Sequence, residues 1–159
     1  MSLSMPKFAR WLRATCTILL SRSTPADRTK ALGYVDQAVA VLEEHGEVQE
    51  GNDVHPDAKD SQQASHSHPL LQVYPTDERQ WLLGTAYNTG IECLQFVVDL
   101  CRRHAVRNLL TFSSASMADE AKRWFELSTV ICRFVPDGDA RAEKVSHCLM
   151  ALNSIAVVL

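Results

Sequence analysis

The most reactive side chains in this sequence belong to its five cysteines and six histidines. His147 and Cys148 are neighbours in the chain, and a thiol beside an imidazole is the pairing that a cysteine nucleophile needs. On a helix, adjacent side chains point about 100° apart, so these two would not face each other. We therefore interpret Cys148 as a core thiol. A small helical thiol enzyme that uses Cys148 and His147 is the weaker alternative.

Three groups of potential metal ligands fall short of a complete site. Cys101 and His104 stand three residues apart, but a structural zinc site needs four ligands, usually in two pairs. Asp137 and Asp139 resemble the start of a calcium-binding loop, yet Arg141 occupies the fifth position, where an oxygen ligand is required. The other histidines of interest lie in a polar stretch where chelation would be weak: His55, His66 and His68. We predict no metal and no cofactor.

Composition describes one ordinary domain or a short stack of repeats, with 159 residues of which 46% are hydrophobic. The net charge of −3 excludes a generically basic nucleic-acid binder. No apolar run approaches the roughly 18 residues that span a bilayer. An odd number of cysteines without a Cys-x-x-Cys pair predicts a reducing, intracellular compartment. The acid-free stretch 1–26 leaves a mitochondrial presequence as an alternative.

Charge is unevenly distributed along the chain. Residues 1–35 carry a net charge of +5, residues 36–80 carry −8, and residues 81–159 are neutral overall. Inside the acidic middle, residues 46–73 contain almost nothing that a core could bury. Such a segment cannot offset the entropy of ordering, so we predict a disordered acidic linker at 46–73. The linker divides the chain into an N-terminal part, 1–45, and a C-terminal part, 74–159.

Helical periodicity fills the N-terminal part. Apolar residues recur every three or four positions over 8–19 and again over 31–42, which predicts two amphipathic helices. Between them, Thr24 is a typical N-cap and Pro25 suits the first position of a helix. Because the connection is only about four residues long, we expect the two helices to form an antiparallel hairpin.

Three further helices are predicted after the linker. Thr76 serves as the N-cap of a long helix, Ser116 begins the next, and Asp139 caps the last. Gly84 and Gly90 lie inside the long helix, where each costs roughly 1 kcal/mol relative to alanine, so we expect a neighbouring helix to approach closely there. No β-type alternation competes with these patterns. The sequence therefore predicts an all-α fold of antiparallel helix hairpins.

Aromatic and small residues of the C-terminal part follow a repeat pattern. Trp81-x-x-Gly84-x-x-Tyr87 is similar to the W-x2-L-G-x2-Y element in the first helix of a tetratricopeptide repeat (TPR), one residue short. Ala121-x3-Phe125 is similar to the A-x3-F element of the second helix. Ordinary packing of a helix hairpin explains the same residues equally well. The pattern favours hairpins stacked as a short TPR-like α-solenoid.

Three stretches carry a resemblance to one protein family. Phe8-Ala-Arg-Trp11-Leu resembles an F-x-R-W-[LI] helix, and Ala121-Lys-Arg-Trp124 resembles an A-x-x-W helix start. The longest stretch, 74–88, reads Tyr-Pro-Thr-Asp-Glu-Arg-Gln-Trp-Leu-Leu-Gly-Thr-Ala-Tyr-Asn and resembles Y-P-x-E-E-x-x-W-[LM]-x-x-x-A-[FW]-N. These motifs are similar to those of the meiosis-specific sporulation-type proteins. Those proteins are long TPR-like solenoids of the ZMM group, which promotes crossovers.

The resemblance implies a set of family-motif residues with structural or partner-facing roles: Phe8, Trp11, Trp81, Leu82, Ala86, Asn88, Ala121 and Trp124. It also implies a non-enzymatic scaffold that binds other meiotic proteins on chromosomes in the nucleus. No catalytic residue, direct contact with nucleic acid or membrane contact is expected of such a scaffold. A TPR-type adaptor of the cytoplasm is the alternative.

The last helix ends in a strongly apolar run, 149–159. One face of this helix can pack on the preceding helix, whereas Met150, Ala151, Val157 and Val158 have no partner left in the sequence. Large exposed apolar patches are typical of interfaces. We therefore expect the helical repeats to be incomplete at this end, which would continue into further helices or self-associate with a second chain.

Overall fold

Five α-helices make up nearly all of the chain that the computed structural model describes, which is residues 4–45, 74–104 and 111–156. The helices are α1 (Met5–Ser21), α2 (Pro25–His45), α3 (Thr76–His104), α4 (Thr111–Cys132) and α5 (Gly138–Ala156). These three ranges contain no strand, so the predicted all-α fold is confirmed. The predicted linker at 46–73 lies outside the described residues, as do Val157 and Val158.

Thr24 caps α2 as the sequence predicts. Its hydroxyl accepts a hydrogen bond from the backbone N–H of Asp27 at 3.1 Å and donates one to the Asp27 carboxylate at 2.8 Å. Pro25 is the first helical residue. Asp27 also places a negative charge in the first turn, which the positive end of the helix dipole favours. With only three residues between α1 and α2, the two helices form the expected antiparallel hairpin.

Three helix starts differ from the sequence prediction. α3 begins at Thr76, so Thr76 is the first helical residue and Pro75 occupies the N-cap position. α4 begins at Thr111, five residues before Ser116. The serine and alanine residues of this stretch each cost less than about 0.7 kcal/mol in a helix relative to the best helix former, so nothing stops α4 from extending backward. α5 begins at Gly138, which places Asp139 inside the first turn. There the Asp139 carboxylate interacts with the helix dipole, and it does not occupy the capping position.

The connection from α4 to α5 is a tight turn over 133–137. Asp137 has a φ of 57°, in the left-handed region that few side chains adopt without strain. The next residue, Gly138, lies so close to α4 that a Cβ on it would overlap the carbonyl oxygen of Cys132. Its φ is not positive, so this close approach, and not the backbone conformation, requires glycine at 138.

The helices stack as hairpins. The α1–α2 hairpin lies on the α3–α4 hairpin, with α1 against α3 and α2 against α4. α5 packs mainly against α4 and also touches α3. Hairpin on hairpin followed by a further helix is the packing of a short α-solenoid, as the sequence predicts. α3 therefore lies between α1 and α5, with α4 covering its most buried face.

Close apolar packing joins α3 to α4. Trp124 and Phe125 of α4 are fully buried. A Cβ on Gly90 of α3 would lie 2.8 Å from the Phe125 ring, which confirms the expected close approach at this glycine. Tyr87 packs against Phe125 with 6.1 Å between ring centroids. Gly84 differs, because no atom lies within 4 Å of the position that its Cβ would take.

Charged side chains hold the α1–α2 hairpin against the rest of the fold. Arg28 Nε of α2 lies 3.0 Å from Glu120 Oε1 of α4, and the two side chains are only 15% and 14% exposed. Arg28 also donates to the backbone carbonyl of Ser23 at 3.2 Å. On the other side, Arg13 Nη1 of α1 lies 3.7 Å from Glu78 Oε1 of α3. We name these two ion pairs the hairpin seam.

Candidate partner-binding surface

The structure separates the eight motif residues into a core group and a surface group. Four of them are fully buried on α3 and α4: Leu82, Ala86, Ala121 and Trp124. Phe8 of α1 is half-buried and packs against the core. Trp11, Trp81 and Asn88 retain exposed surface. Because a fully buried side chain cannot contact a partner without local unfolding, the four buried residues are excluded as partner-facing residues.

Trp11 lies apart from the other two surface residues. Its side chain is 51% exposed and its ring meets Tyr34 of α2 edge-on, with 5.7 Å between centroids. On α1, Trp11 and Arg13 are about 200° apart, so they lie on opposite flanks of the helix. Arg13 is on the flank that contacts α3. The structure therefore does not bring Trp11 together with Trp81 and Asn88.

Trp81, Gly84 and Asn88 form a continuous strip along α3, which we name the α3 strip. Their spacing of three and four residues places all of them on one helix face. Asn88 is exposed, and Trp81 and Gly84 are half-buried. The strip lies between the two helices that flank α3, namely α1 and α5. Two of the predicted motif residues, Trp81 and Asn88, thus share one surface.

Arg13 borders the α3 strip on the side of α1. Its guanidinium lies over the ring of Trp81, 5.6 Å from the centroid, in a cation–π contact. The same guanidinium approaches Glu78, whose side chain is 10% exposed, while the Arg13 side chain itself is 47% exposed. Arg13 therefore positions Trp81 and adds a positive charge to this edge of the strip.

A groove of about 180 Å³ runs between α3 and α5 on the other side of the strip. We name it the α3–α5 groove, and its lining residues are Leu83, Gly84, Tyr87, Arg141, Lys144 and Val145. The Tyr87 hydroxyl lies 3.8 Å from the sulfur of Cys148 on α5. This hydrogen bond, followed by burial, raises the pKa of Tyr87, which keeps its hydroxyl neutral. The groove combines apolar walls with a neutral phenol and two cations.

Burial lowers the reactivity of three of the five cysteines. It raises the pKa of the Cys16 and Cys93 thiols to about 11 and also raises the pKa of Cys132. These thiols are therefore protonated at neutral pH, and a protonated thiol is a poor nucleophile. Cys148 is half-buried, and its neighbour His147 is exposed on another face of α5. The geometry gives Cys148 a packing position in the fold beside α3.

The described helices contain no cluster of potential metal ligands. Within 4–45, 74–104 and 111–156, no three His, Cys, Asp or Glu side chains are arranged to hold a metal ion. The polar-stretch histidines lie outside those ranges: His55, His66 and His68. As far as the helices are described, none is both long enough and apolar enough to cross a lipid bilayer.

A second cleft, of about 340 Å³, opens where the α1–α2 turn meets α3 and α4. Its lining residues are Ser23, Pro25, Arg28, Glu92, Cys93, Phe96 and Met117. Arg28 crosses this cleft, and its N–H groups bind Glu120, the Ser23 carbonyl and the sulfur of Met117. Acceptors within the protein therefore already bind the Arg28 guanidinium, which is not available to a ligand. We assign this cleft to the hairpin seam.

The cations that border the α3 strip were not predicted from the sequence. Arg141 and Lys144 stand three residues apart beside the apolar stripe of α5, and this spacing places them on one face of the helix. From that spacing, a pair of cations on one face of α5 could have been predicted. The contact between Arg13 and Trp81 joins two hairpins across 68 residues of sequence, so no local pattern could reveal it.

Comparison with known proteins finds no relative of this chain. No protein-family model, no curated protein and no solved structure matches the chain. The resemblance to the meiotic family, and the roles that it implies for the motif residues, therefore stay predictions. The surface itself is defined by the α3 strip, by Arg13 on one border and by the α3–α5 groove on the other.

Proposed function

We propose that the protein is a non-enzymatic scaffold that binds other proteins through the α3 strip and its two borders. One observation carries this proposal. Trp81 and Asn88 share a face of α3 that lies between Arg13 of α1 and Arg141 of α5. Tryptophan and arginine are among the residues in which the binding energy of protein interfaces concentrates, so this combination is typical of a contact surface.

The stacking of the helices supports the same role. In a solenoid, each helix pair buries one face against its neighbours and leaves an extended surface across successive pairs. Here α3 is flanked by α1 and α5, so a partner lying across the α3 strip would contact all three helices. Contact with several helices at once makes the surface depend on the stacked arrangement and not on any single helix.

We propose meiotic chromosome proteins as the partners and the nucleus as the site of action. The support is the sequence resemblance, chiefly over 74–88. Trp81 and Asn88 belong to that motif and also reach the surface. Immunostaining of spread meiotic nuclei would test this part of the proposal. Foci on paired chromosomes are expected, whereas staining confined to the cytoplasm would favour the cytoplasmic adaptor.

A peptide library displayed on phage and selected against the full chain tests the binding surface. Hydrogen–deuterium exchange with a selected peptide should show protection of α3 together with α1 or α5. Asn88→Arg should weaken that peptide's binding by at least about tenfold, because it places a long charged side chain on the α3 strip. The matched control is Asn153→Arg at an exposed position of α5, which should leave the affinity unchanged. Protection confined to α2 or α4 would contradict the proposal.

A further inference from the structure

We infer that the α3–α5 groove binds an acidic segment of a partner protein. One apolar side chain of that segment lies over Gly84, and neighbouring carboxylates pair with Arg141 and Lys144. This inference rests on the proposed scaffold function and specifies the chemistry of the partner. Three features of the groove support it, namely its size, its charge and the open space at Gly84.

The size of the groove favours a single inserted side chain. Its volume of about 180 Å³ is roughly six times the ~30 Å³ that one water molecule occupies in the liquid. Leu83 and Val145 are almost fully buried and form the floor of the groove, so the apolar contact with an inserted side chain comes mainly from the half-buried Gly84 and Tyr87. The groove therefore accommodates one apolar side chain of the bound segment.

The charge of the groove favours an anionic segment. Arg141 and Lys144 stand three residues apart on α5, and both are exposed. In the described part of the chain, neither makes an ion pair with a carboxylate. Asp139 and Glu143 of the same helix are exposed and do not line the groove. Arginine matches a carboxylate with two parallel hydrogen bonds and lysine provides a point charge, so two carboxylates would satisfy both cations.

Gly84 keeps the groove open on the side of α3. No atom lies within 4 Å of its Cβ position, so any larger residue would project into unoccupied space. A glycine inside a helix costs roughly 1 kcal/mol relative to alanine. At Gly90 the close approach of Phe125 explains the glycine, but no packing contact explains it at Gly84. Gly33 on α2 is equally open, but only Gly84 lines the groove, so a side chain at 84 would compete with a bound segment for the same space.

A nucleic acid is the other polyanion that these cations could attract, and the structure favours a peptide. The chain as a whole carries a net charge of −3, which opposes the approach of a polyphosphate. The two cations also border apolar walls and not a long basic track. Single-stranded DNA therefore serves as the competing probe in the test.

Fluorescence anisotropy on the full chain with three labelled peptides tests the inference. The first peptide has a central leucine with two glutamates on each side. The second replaces the glutamates by glutamines, and the third replaces the leucine by serine. The first should bind at least about tenfold more tightly than either of the others, because only it supplies both the apolar side chain and the charges. Its affinity should also fall as the ionic strength is raised.

Charge reversal in the groove provides the first pair of variants. Arg141→Glu combined with Lys144→Glu should weaken the acidic peptide by at least about tenfold. The matched control is Lys30→Glu combined with Arg123→Glu, which makes the same change in net charge at exposed positions of α2 and α4. The control should bind like the unmodified chain. Equal weakening by both double variants would show that only the overall charge matters and would overturn the inference.

Gly84 and Gly33, whose Cβ positions have no neighbouring atom, provide the second pair of variants. Gly84→Leu fills the groove and should weaken the acidic peptide. Gly33→Leu makes the same change on α2, where the Cβ position is equally free of neighbours, and should have no effect on binding. Circular dichroism verifies that both variants keep their helices. Unchanged affinity in a folded Gly84→Leu variant would overturn the placement of the apolar side chain.

The failure of this inference is distinguishable from the failure of the scaffold function. Equal binding of the glutamate and glutamine peptides, no binding of any of the three, or tighter binding of single-stranded DNA would overturn the acidic-segment inference. Library-selected peptides that protect α3 but lack acidic residues would also overturn it, while the scaffold proposal would stand. Selected peptides that protect only α2 or α4 would overturn both.

Discussion

The contact inside the α3–α4 hairpin is closely packed and apolar, whereas the contact between the two hairpins adds two ion pairs to a shared apolar core. Inside the α3–α4 hairpin, Gly90 allows the ring of Phe125 to lie directly against α3. Between the hairpins, the hairpin seam joins helices through ion pairs. Buried polar atoms without a hydrogen-bond partner among the described residues occur in both contacts: the Tyr74 hydroxyl and Glu78 Oε2 lie near the seam, and Trp124 Nε1 lies on α4.

The difference between these contacts indicates which of them dominates stability. Close apolar packing gains free energy with every buried group, and protein interiors tolerate little change in volume. A buried ion pair gains much less, because desolvation of the two charges offsets their attraction. Each buried polar atom without a partner costs a further 1–3 kcal/mol or so. We therefore expect the α3–α4 hairpin to be the stable unit and the α1–α2 hairpin to separate from it more easily.

The largest effect is expected from removal of the aromatic ring inside the α3–α4 hairpin. Phe125→Ala should lower the free energy of unfolding by about 3–5 kcal/mol, because it leaves a cavity against Gly90. Urea denaturation followed by circular dichroism measures this loss. Phe96→Ala, at a side chain that is 49% exposed on α3, is the matched control and should cost less than about 1 kcal/mol. Similar losses in both variants would contradict the proposed dominance of this contact.

The next largest effect is expected at the hairpin seam. Arg28→Met should lower the free energy of unfolding by about 2 kcal/mol, since it leaves the Glu120 carboxylate without its cation. We expect this loss of free energy to be smaller than that at a fully buried ion pair, because the Arg28 and Glu120 side chains both keep some exposure to solvent. The double variant Arg28→Met with Glu120→Leu should recover most of the loss, because no unpaired charge remains.

Lys122→Met is the control for the seam experiment. Lys122 and Glu126 form an ion pair at 3.9 Å with both side chains about half exposed, so its loss should cost no more than about 0.5 kcal/mol. If Arg28→Met costs no more than this control, the hairpin seam contributes nothing beyond a surface ion pair. A loss above that of Phe125→Ala would reverse the ranking of the two contacts.

A smaller effect, confined to alkaline pH, is expected from the buried thiols of Cys16 and Cys93. Burial raises the pKa of each thiol from 9.0 to about 11, so in this window the unfolded chain loses protons that the folded chain retains. The stability that depends on these thiols is present below pH 9 and is lost as the pH rises to 11. Urea denaturation across this range should show a shallower decline for Cys16→Ala and Cys93→Ala than for the unmodified chain. Parallel declines in all three proteins would contradict the prediction.

The smallest effects are expected at two glycines of α3, where substitution by alanine should change the melting temperature in opposite directions. Gly84→Ala should raise the melting temperature by about 3 °C, because alanine gains roughly 1 kcal/mol in a helix and meets no neighbour there. Gly90→Ala should lower it, because the new Cβ would lie 2.8 Å from the Phe125 ring. Gly33→Ala on α2 is the control and should behave like Gly84→Ala. A rise at all three positions would show that Phe125 can move aside.

Much of the fold could be predicted from the sequence because its determinants are local. The N-cap at Thr24 depends on residues within one turn, and its hydrogen bonds to Asp27 follow from that spacing. The five helices follow from apolar periodicity in the same way. The predicted start of α4 at Ser116 was wrong. The residues from Thr111 to Ser116 have weak conformational preferences, so their sequence does not distinguish a helix from a turn.

The candidate surface could be predicted only in part. Trp81 and Asn88 were singled out by motif, and Arg141 and Lys144 could have been found by their spacing on α5. The sequence could not distinguish Gly84 from Gly90, because both are glycines inside the same helix. What differs is the side chain on a neighbouring helix, which depends on tertiary packing. The ion pair of the hairpin seam in which Arg28 meets Glu120 spans 92 residues, and only the fold brings them together.

The turn before α5 has a consequence for how this chain can vary among natural sequences. Gly138 lies against the Cys132 carbonyl with no room for a side chain. A residue inserted into 133–137 would change the path of this tight turn and so displace the start of α5, with Arg141 and Lys144, relative to α3. Orthologues should therefore keep both the length of this turn and its glycine. Insertions should accumulate instead between α2 and α3, where the sequence predicts a linker, because a longer flexible linker costs only about 0.6 kcal/mol for each doubling of length.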